Sequence, residues 1–447
     1  PSRKNPHMAS NQLLAGERPE FPDSLWASIT PPLPPLPSLE GAQEFDVAIV
    51  GGGFTGLMAA LTLRAAGRRV AVLDAVEPGW GASGRNNGQV IPGFKWDPDV
   101  LRARYGPEAG RRLALWGAAA PDLVFETIAA HGIECSPVRN GWIQPAYTDV
   151  AAERIEERCR LWAELGAPVA MLPRDEIASL LGTPIFQAAW IDRRGGCINP
   201  LAYARGLARA AQSQGVGLYA RTPVESMRKE DGRWVLACAN GATAAAPQVI
   251  VATAAYANDI VGGLRTSMVP VRTAQVATAP LPQPYLDAIL PQRHCASDTR
   301  RLLTSFRISP DHRLVMGGAG ATAGLSHDFI VRKLHKAAAR MFGHLGPLAW
   351  EYAWSGYFAV TKDHMPHIHE TGGDLICALG CNGRGIAVST AMGKLLGERL
   401  LGLPTEDMPL RPTPIRPFAF HAFRHLGVAV ATQYNGLLDY VDKARSR

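Results

Sequence analysis

Near the start of the chain, a glycine-rich turn separates two short apolar runs, FDVAIV (45–50) and VAVLDA (70–75). Both runs are short and contain β-branched residues, which is typical of buried parallel strands. Between them, GGGFTG (51–56) leads into LMAALTLRAAG (57–67), which has helical composition and ends on a glycine suited to a helix C-terminus. The pattern predicts a strand–turn–helix–strand unit.

Further along, the pattern predicts helices first and paired strands afterwards. Residues 151–165 are amphipathic, and residues 199–215 open on Asn and Pro, a favourable helix start. Hairpins are expected within 233–253, around an Asn-Gly pair, and within 302–318. A last strand and helix follow over 374–402. The order predicts an α/β nucleotide-binding domain interrupted by a second domain with a mixed or antiparallel sheet.

The two ends of the chain carry a weaker pattern. Residues 1–42 are irregular, and PPLPPLPSLEG (31–41) is too rich in proline for a helix or a central strand. We expect a strap on the domain surface or a flexible arm, with a ligand for a proline-binding domain as a less favoured alternative. Residues 1–7, before Met8, are interpreted as a cloning remnant, and 406–447 as a C-terminal extension.

Composition narrows the function classes. Of the 447 residues, 47% are hydrophobic and 19% charged, an ordinary globular balance. The net charge is +7, but the basic residues are scattered and not interleaved with aromatics, so we expect no nucleic-acid partner. Seven cysteines without a CxxC pair favour reduced thiols and a cytoplasmic protein. We also expect no membrane span and no metal site.

The glycine-rich turn carries the first chemical signal. Gly51, Gly53 and Gly56 form G-x-G-x-x-G between the predicted strand and helix, and Asp74 ends the next strand. The glycines permit a tight turn, close approach of a pyrophosphate, and close packing of helix on strand. Asp74 can accept hydrogen bonds from a ribose. The alternative is a tight turn without ligand. Because the motif lies near the start of a long chain, FAD is favoured over NAD.

A second glycine turn lies near the other end. GCNGRG (380–385) joins a predicted strand to a predicted helix, whose N-terminus would stabilise an anionic reduced flavin by on the order of 1 kcal/mol. The alternative is an ordinary glycine turn. His364, His367 and His369 nearby have strand-like spacing, so we expect surface or strand histidines instead of metal ligands.

The chain resembles the FAD-dependent amine oxidases of the D-amino-acid oxidase superfamily, and most of all their gamma-glutamylputrescine oxidoreductase branch. The resemblance runs from about residue 45 to 405. It rests on five blocks, VAIVGGGFTGL (47–57), GASGRNNGQ (81–89), GGCINPLAYA (195–204), WSGYFAVTKDHMPHI (354–368) and GCNGRGIAVSTAMGKLLGERL (380–400).

The resemblance implies a Rossmann-like FAD-binding domain of the glutathione-reductase type, interrupted by a substrate domain with a large mixed or antiparallel β-sheet and flanking helices. We assign the FAD-binding domain to 43–105, 196–265 and 362–405, and the substrate domain to 106–195 and 266–361. Some relatives attach the flavin through a cysteine before the segment TKDHMP, but WSGYFAVT has none, so we expect non-covalent FAD.

Two groups of site residues follow from the motifs and the resemblance. The cofactor-binding group is Gly51, Gly53, Phe54, Thr55, Gly56, Asp74, Ala82, Ser83, Arg85, Asn86, Asn87, Gly88, Gln89, Val224, Gly356, Gly380, Gly383, Arg384, Gly385 and Ile386. The substrate-binding group is Gln89, Arg272, Trp354, Tyr357 and Arg384, with the two aromatics as pocket walls. For Trp354 and Tyr357 the alternative is core packing, and for Arg272 a structural role.

The resemblance implies oxidation of a C–N bond to an imine that hydrolyses, with a hydride passing to flavin N5 and no obligatory base. The substrate would be a small amine or amino acid, of gamma-glutamylputrescine, N-alkyl or D-amino-acid type. We expect O2 as acceptor, giving H2O2, with a quinone as the alternative. An NAD(P)-dependent dehydrogenase and a non-catalytic flavoprotein stay open. Arg384 replaces a common histidine and Asn87 a common glycine, which puts the branch's particular substrate in doubt.

Overall fold

The computed structural model describes Leu14, residues 17–319 and residues 327–445. The expectation for residues 1–7 lies outside these described residues. Within them, the helices are α1 (Leu25–Ile29), α2 (Phe54–Ala65), α3 (Pro98–Tyr105), α4 (Pro107–Ala130), α5 (Asp149–Glu164), α6 (Arg174–Leu181), α7 (Pro200–Ser213), α8 (Gln283–Ala288), α9 (His327–Phe342), α10 (Gly385–Leu400) and α11 (Arg424–Arg445).

The strands form four sheets. They are β1 (Ala42–Glu44), β2 (Val47–Val50), β3 (Val70–Leu73), β4 (Gln89–Val90), β5 (Trp142–Pro145), β6 (Val169–Met171), β7 (Ala189–Asp192), β8 (Gly196–Cys197), β9 (Gly217–Tyr219), β10 (Val224–Glu230), β11 (Arg233–Cys238), β12 (Thr243–Ala246), β13 (Gln248–Val251), β14 (Val269–Thr278), β15 (Cys295–Ser297), β16 (Thr304–Ile308), β17 (Leu314–Ala319), β18 (Trp350–Val360), β19 (His367–Thr371) and β20 (Leu375–Leu379).

A six-stranded sheet of order β19-β20-β13-β2-β3-β9 carries the glycine turn. Its strands are parallel except for the edge strand β19, which confirms the predicted strand–turn–helix–strand unit at its centre. Val47 and Ile49 of β2 face a cluster with helices α2, α7 and α10. Ala48 and Val50 face the opposite cluster, which includes strands β11 and β12. Strands buried on both faces read as continuous apolar runs, as β2 does.

The second large sheet has eight strands in the order β18-β14-β17-β16-β15-β5-β7-β6. Neighbouring strands are antiparallel except for β15 and β5, which confirms the expected mixed sheet. The predicted hairpin in 302–318 is β16–β17, and the one around Asn240-Gly241 is β11–β12. The latter lies in a four-stranded sheet, β1-β12-β11-β10. The domain boundaries assigned above stay a prediction.

The proline-rich arm is more deeply packed than a surface strap. Trp26 of α1 is fully buried, and Leu39 beyond the proline run is buried as well. Arg205 of α7 donates to the carbonyls of Thr30 (2.9 Å) and Pro31 (3.0 Å), which holds the arm against that helix. The arm therefore contributes apolar side chains to the core.

One helix among the described residues, α4, is long and apolar enough to cross a membrane by length and composition alone. Half of its most apolar 18-residue window is buried inside the chain. Leu113 and Val124 of this helix belong to the same apolar cluster as α2 and α10. The core helix of a globular domain has the same properties.

Candidate active site

The glycine turn has the geometry that its sequence predicts. Gly51 directly follows β2 with φ +106°, and a Cβ there would lie 2.8 Å from the Ala252 carbonyl oxygen. A Cβ on Gly56 would lie 2.0 Å from the Gly51 oxygen, so only glycine lets α2 pack this closely on the turn. The first N–H groups of a helix have no intrahelical acceptor, and its N-terminus attracts anions. The turn therefore presents α2 to a phosphate.

Asp74 lies beside this turn at the end of β3. Its carboxylate accepts hydrogen bonds from the N–H groups of Gly52 (2.7 Å) and Val76 (2.9 Å). Burial raises the pKa of Asp74 to about 6, and the charge of Glu77 adds to the rise while the two hydrogen bonds oppose it. Val224, the predicted contact on β10, is buried, and its carbonyl accepts from Asn258 (2.8 Å).

The loop from Trp80 to Val90 has no exposed residue and is not a surface loop. Ala82–Gly84 forms a 3₁₀ turn, and β4 pairs with β8 through Gln89 and Cys197. The Asn86 side chain bonds within the loop, donating to Ser83 (2.9 Å) and accepting from Gly88 (2.8 Å). The loop is thus braced by its own side chains.

Other loop side chains reach outward to distant elements. Ser83 Oγ accepts from the Phe54 N–H at the start of α2 (3.1 Å), and Arg85 pairs with Glu17 of the arm. Asn87 Nδ2 donates to Gln275 Oε1 of β14 (2.9 Å). These bonds join the loop to the glycine turn, the arm and the eight-stranded sheet. The predicted donation from Ser83, Arg85 and Asn86 to the cofactor stays a prediction, because all three also bond to protein.

Three buried polar atoms of the loop have no hydrogen-bond partner among the described residues. They are Arg85 Nη2, Asn87 Oδ1 and Gln89 Oε1. Gln89 uses its Nε2 to donate to the Ala296 carbonyl (2.8 Å) on β15, which leaves its oxygen unpaired. Native chains rarely bury unsatisfied polar groups. One guanidinium N–H donor and two amide oxygen acceptors in one loop match a planar ligand with polar ring atoms.

The two predicted aromatic walls lie on opposite faces of β18. Trp354 is 2% exposed, packs edge-on against Trp26 with ring centres 6.0 Å apart, and donates to the Arg85 carbonyl (2.8 Å). Tyr357 is half-buried. Because side chains alternate along a strand, positions three apart cannot share a face. The two rings therefore cannot line the same side of a pocket, and Trp354 supports the loop through its bond to Arg85. Their predicted roles as pocket walls stay a prediction.

Tyr357 instead joins an arginine and a second tyrosine. It lies opposite Arg272 of β14 in the sheet register, and the Arg272 guanidinium lies 5.2 Å from its ring centre. The Tyr357 N–H donates to the Tyr256 hydroxyl (3.2 Å), and burial raises the pKa of both phenols. The structure thus brings together Arg272 and Tyr357, two residues that the sequence analysis assigned to substrate binding. Tyr256, which it did not name, lies beside them.

Arg384 lies immediately before α10. Its guanidinium lies 5.5 Å from the ring centre of Trp142 and donates to the Pro92 carbonyl. Burial and the nearby charge of Arg158 lower the pKa of Arg384 to about 10, although Asp97 acts in the other direction. A cation whose charge is disfavoured in this way is stabilised by an anion, so Arg384 is suited to a carboxylate or another anionic group.

The second glycine turn holds Arg384 in place. Gly380 and Gly383 have φ of +86° and +88°, and a Cβ on Gly380 would lie 2.4 Å from the Thr361 side chain. Asn382 has φ +50°, and its Nδ2 bonds to the Gly380 carbonyl. Ile386, in the first turn of α10, is buried. Both glycines adopt left-handed backbone angles that other residues rarely take.

Several buried groups near these residues were missed by sequence reasoning. Thr253 Oγ1 and Asn258 Oδ1 are buried without a partner among the described residues, and both follow β13, which pairs with β2. Ligands of parallel sheets bind at the carboxyl ends of neighbouring strands. The segment TAAYAND (253–259) after the run QVIV could have been found by that rule. Glu17 carried no such signal.

No group of three or more His, Cys, Asp or Glu side chains in the described ranges is arranged to hold a metal ion. The predicted strand histidines are bonded individually. His367 contacts Asp363 (3.0 Å) and Thr413 Oγ1 (2.9 Å), and His369 contacts the Thr413 carbonyl (2.7 Å).

Comparison with known proteins places the chain in a family. A model of the family described as FAD dependent oxidoreductase (DAO) matches residues 46–399. Gamma-glutamylputrescine oxidoreductase of Escherichia coli K12 is 30% identical over 385 residues, covering 86% of this chain and 90% of that protein. The probable oxidoreductase OrdL of Haemophilus influenzae is 30% identical over 379 residues, covering 83% and 85%.

A solved structure agrees with this relationship. Glycine oxidase from Geobacillus kaustophilus superposes with a TM-score of 0.69 at 26% identity, covering 84% of this chain and 100% of that one. The resemblance inferred from the motifs is confirmed. This chain belongs to the DAO family of FAD-dependent oxidoreductases.

Proposed function

We propose that this chain oxidises the C–N bond of an amine or amino acid, with O2 reoxidising the cofactor to give H2O2. The observation that carries the proposal is the match over most of the chain to two enzymes, a gamma-glutamylputrescine oxidoreductase and a glycine oxidase. The compound in the first name is an amine, and the compound in the second is an amino acid. Transfer of electrons to a quinone or another acceptor is the alternative.

The residues present fit FAD. The glycine turn would hold the pyrophosphate at the N-terminus of α2, and Asp74 would accept from the ribose. The unpaired atoms of Asn87 and Gln89 would bond to the polar ring. We propose that FAD is held without a covalent bond, since WSGYFAVT contains no cysteine. When bound, FAD supplies the redox step by accepting a hydride from the carbon next to the substrate nitrogen.

The protein side chains bind and orient the substrate. Arg384, whose pKa is lowered and whose guanidinium lies against the Trp142 ring, would bind an anionic substrate group. Arg272 and Tyr357 offer a second cation and a hydroxyl on the eight-stranded sheet. Transfer of an ammonium group into a buried site lowers its pKa and favours loss of its proton, so no side chain is assigned as general base.

A substrate screen tests the proposed activity. Polyamines, gamma-glutamylated amines, N-methyl amino acids and D-amino acids are added to the FAD-loaded enzyme without oxygen, and the visible flavin absorbance is followed. We expect one class to bleach the flavin, and air to restore the colour with formation of H2O2.

Each other outcome of this screen supports an alternative. Bleaching that air does not reverse would favour a different electron acceptor. A flavin that no class bleaches would favour a non-catalytic flavoprotein. A colourless preparation that binds NAD would contradict the cofactor as well as the reaction.

The pKa of Asp74 predicts a pH dependence of FAD binding. The ionised carboxylate is the better acceptor for ribose hydroxyls, and with a pKa of about 6 it becomes protonated as the pH falls below 6. We expect FAD affinity to fall by up to tenfold per pH unit between pH 6 and 5, measured by fluorescence titration of the apoprotein. Asp74→Asn should flatten this dependence, and an unchanged slope in that variant would assign it to another group.

The same shift affects the stability of the apoprotein with the opposite sign. Burying the ionised carboxylate of Asp74 lowers the free energy of unfolding. This destabilisation is absent below the ordinary pKa of 3.8, where the group is protonated in both states, and is fully present above about pH 6. Bound FAD, by donating to the carboxylate, should remove part of that cost.

A further inference from the structure

The C-terminal helix α11 carries its apolar side chains toward solvent. Large hydrophobic residues are 59% to 82% exposed along it and the turn before it, namely Phe420, Phe423, Leu426, Val430, Tyr434, Leu437 and Tyr440. From Phe423 onward their spacing of three and four residues places them on one side of a helix. We call these seven residues the apolar stripe. Helices on a domain surface ordinarily turn such a stripe inward.

Polar contacts on the opposite face fix this orientation. Arg301 donates to Asp439 (3.0 Å) and Asp442 (2.8 Å), and the Leu302 N–H donates to Asp439 (3.4 Å). At about 100° per residue, Asp439 lies half a turn away from Val430. The charged face of α11 is therefore bound to the domain, and the apolar stripe points away from it.

The area of the apolar stripe is that of an interface. An aromatic side chain buries about 150–250 Å² when it is fully enclosed. The four aromatic side chains of the stripe are mostly exposed, so together they could bury about 500 Å² in an interface. Three aliphatic side chains raise this to about 700 Å², close to the roughly 800 Å² per partner of a specific complex. Patches on monomeric proteins are usually about 300–600 Å².

We propose that the apolar stripe binds the same stripe of a second copy of this chain, with the two α11 helices antiparallel. The order of residues is self-complementary. In an antiparallel pair centred between Ala431 and Thr432, Phe423 faces Tyr440 of the partner subunit and Leu426 faces Leu437 of the partner subunit. These are the a and d positions of a heptad, which pair a with d when helices run antiparallel. A two-fold axis makes both contacts twice.

The charges around the apolar stripe favour a protein over a membrane. Helices that lie on membranes carry lysine and arginine on the polar face. The sequence of α11 is instead of mixed charge, with Arg424, Lys443 and Arg445 against Asp439 and Asp442, and both aspartates are bound to Arg301. Gln433, at the d position facing Val430 of the partner subunit, sets the register of a helix pair at some cost in stability.

The mass of the full-length, FAD-loaded protein tests this proposal. Light scattering after gel filtration should show a dimer at micromolar concentration, and Leu426→Asp/Leu437→Asp should halve the mass. FAD content should not change, because both side chains are exposed in the single chain, and the unfolding temperature should lose its dependence on protein concentration. Phe329→Asp, at an apolar residue of α9 that is 46% exposed and lies outside the apolar stripe, is the control and should stay dimeric. A monomeric wild type, or a dimeric double variant, would overturn the proposal.

Cross-linking tests the antiparallel arrangement. Leu426→Cys/Leu437→Cys should form a disulfide-linked dimer under mild oxidation, whereas Leu426→Cys alone should not, because its two copies are about 16 Å apart in this register. Six of the seven native cysteines are buried, which limits the background. Cross-linking of the single variant would contradict the antiparallel pair. Binding of a monomeric wild type to anionic phospholipid vesicles, lost in Leu426→Asp/Leu437→Asp, would replace the second copy by a membrane surface.

Discussion

Replacing Gly56 by alanine should weaken FAD binding at least a hundredfold. A Cβ at this position would lie 2.0 Å from the Gly51 carbonyl oxygen, a distance that no relaxation of a side chain can relieve, since the obstacle is backbone. Helix α2 or the turn must move, and either motion withdraws the N–H groups that face the pyrophosphate. A hundredfold corresponds to about 2.7 kcal/mol, within the cost of overpacking.

Titration of the apoprotein with FAD, followed by flavin fluorescence, measures the effect. Gly262→Ala is the matched control, because that glycine has nothing within 4 Å of a new Cβ and should bind FAD as the wild type does. If Gly56→Ala bound FAD with wild-type affinity, the glycine turn would not be the pyrophosphate site.

The local features of this site could be predicted because each depends on short-range sequence. The glycine turn, the Asn199 cap of α7 and the Asn240-Gly241 hairpin use residue types that one backbone conformation requires. The alternation of side chains along β18 could also be read from the sequence, since Trp354 and Tyr357 are three residues apart. This spacing alone places the two aromatic rings on opposite faces of the strand.

The tertiary partners of the buried loop could not be predicted. Asn87 bonds to Gln275, and Gln89 bonds to the backbone of Ala296, across about two hundred residues of sequence. Nothing in one sequence ranks such distant pairs, because any amide can bond to any other. Arg384 was found from its motif, but its contact with Trp142 depends on how the two large sheets pack. Where Asn87 replaces glycine, its side chain now has a defined role, which is to tie the loop to β14.

The ion pair between the N-terminal arm and the loop is another contact between distant residues that one sequence could not predict. Glu17 precedes a proline-rich stretch that looks detached, yet its side chain and that of Arg85 are each only 4% exposed and form an ion pair. Arg85 also donates to the Trp80 carbonyl (2.7 Å), and its guanidinium lies 4.5 Å from the Trp80 ring centre. The arm therefore neutralises a cation of the cofactor loop.

Glu17→Ala should destabilise the protein by about 3 kcal/mol, because it leaves the Arg85 guanidinium buried without its carboxylate. Denaturant unfolding of the FAD-free chain measures this loss. Glu20→Ala is the matched control on the same arm, since the Glu20 side chain is exposed and only its backbone carbonyl bonds to Trp80. We expect that control to change stability by less than about 0.5 kcal/mol.

Removing both charges separates the ion pair from simple packing. Replacing a buried pair by neutral residues often costs little, whereas removing one partner costs much. Glu17→Gln/Arg85→Met should therefore be more stable than Arg85→Met alone, which leaves a carboxylate buried. Equal losses of unfolding free energy in Glu17→Gln/Arg85→Met and in Arg85→Met would show that the arm does not neutralise Arg85. A loss in Glu17→Ala no larger than that in Glu20→Ala would show the same. The loop would then have to hold its buried guanidinium by the Trp80 contacts and by bound FAD, and its stability would depend on FAD concentration.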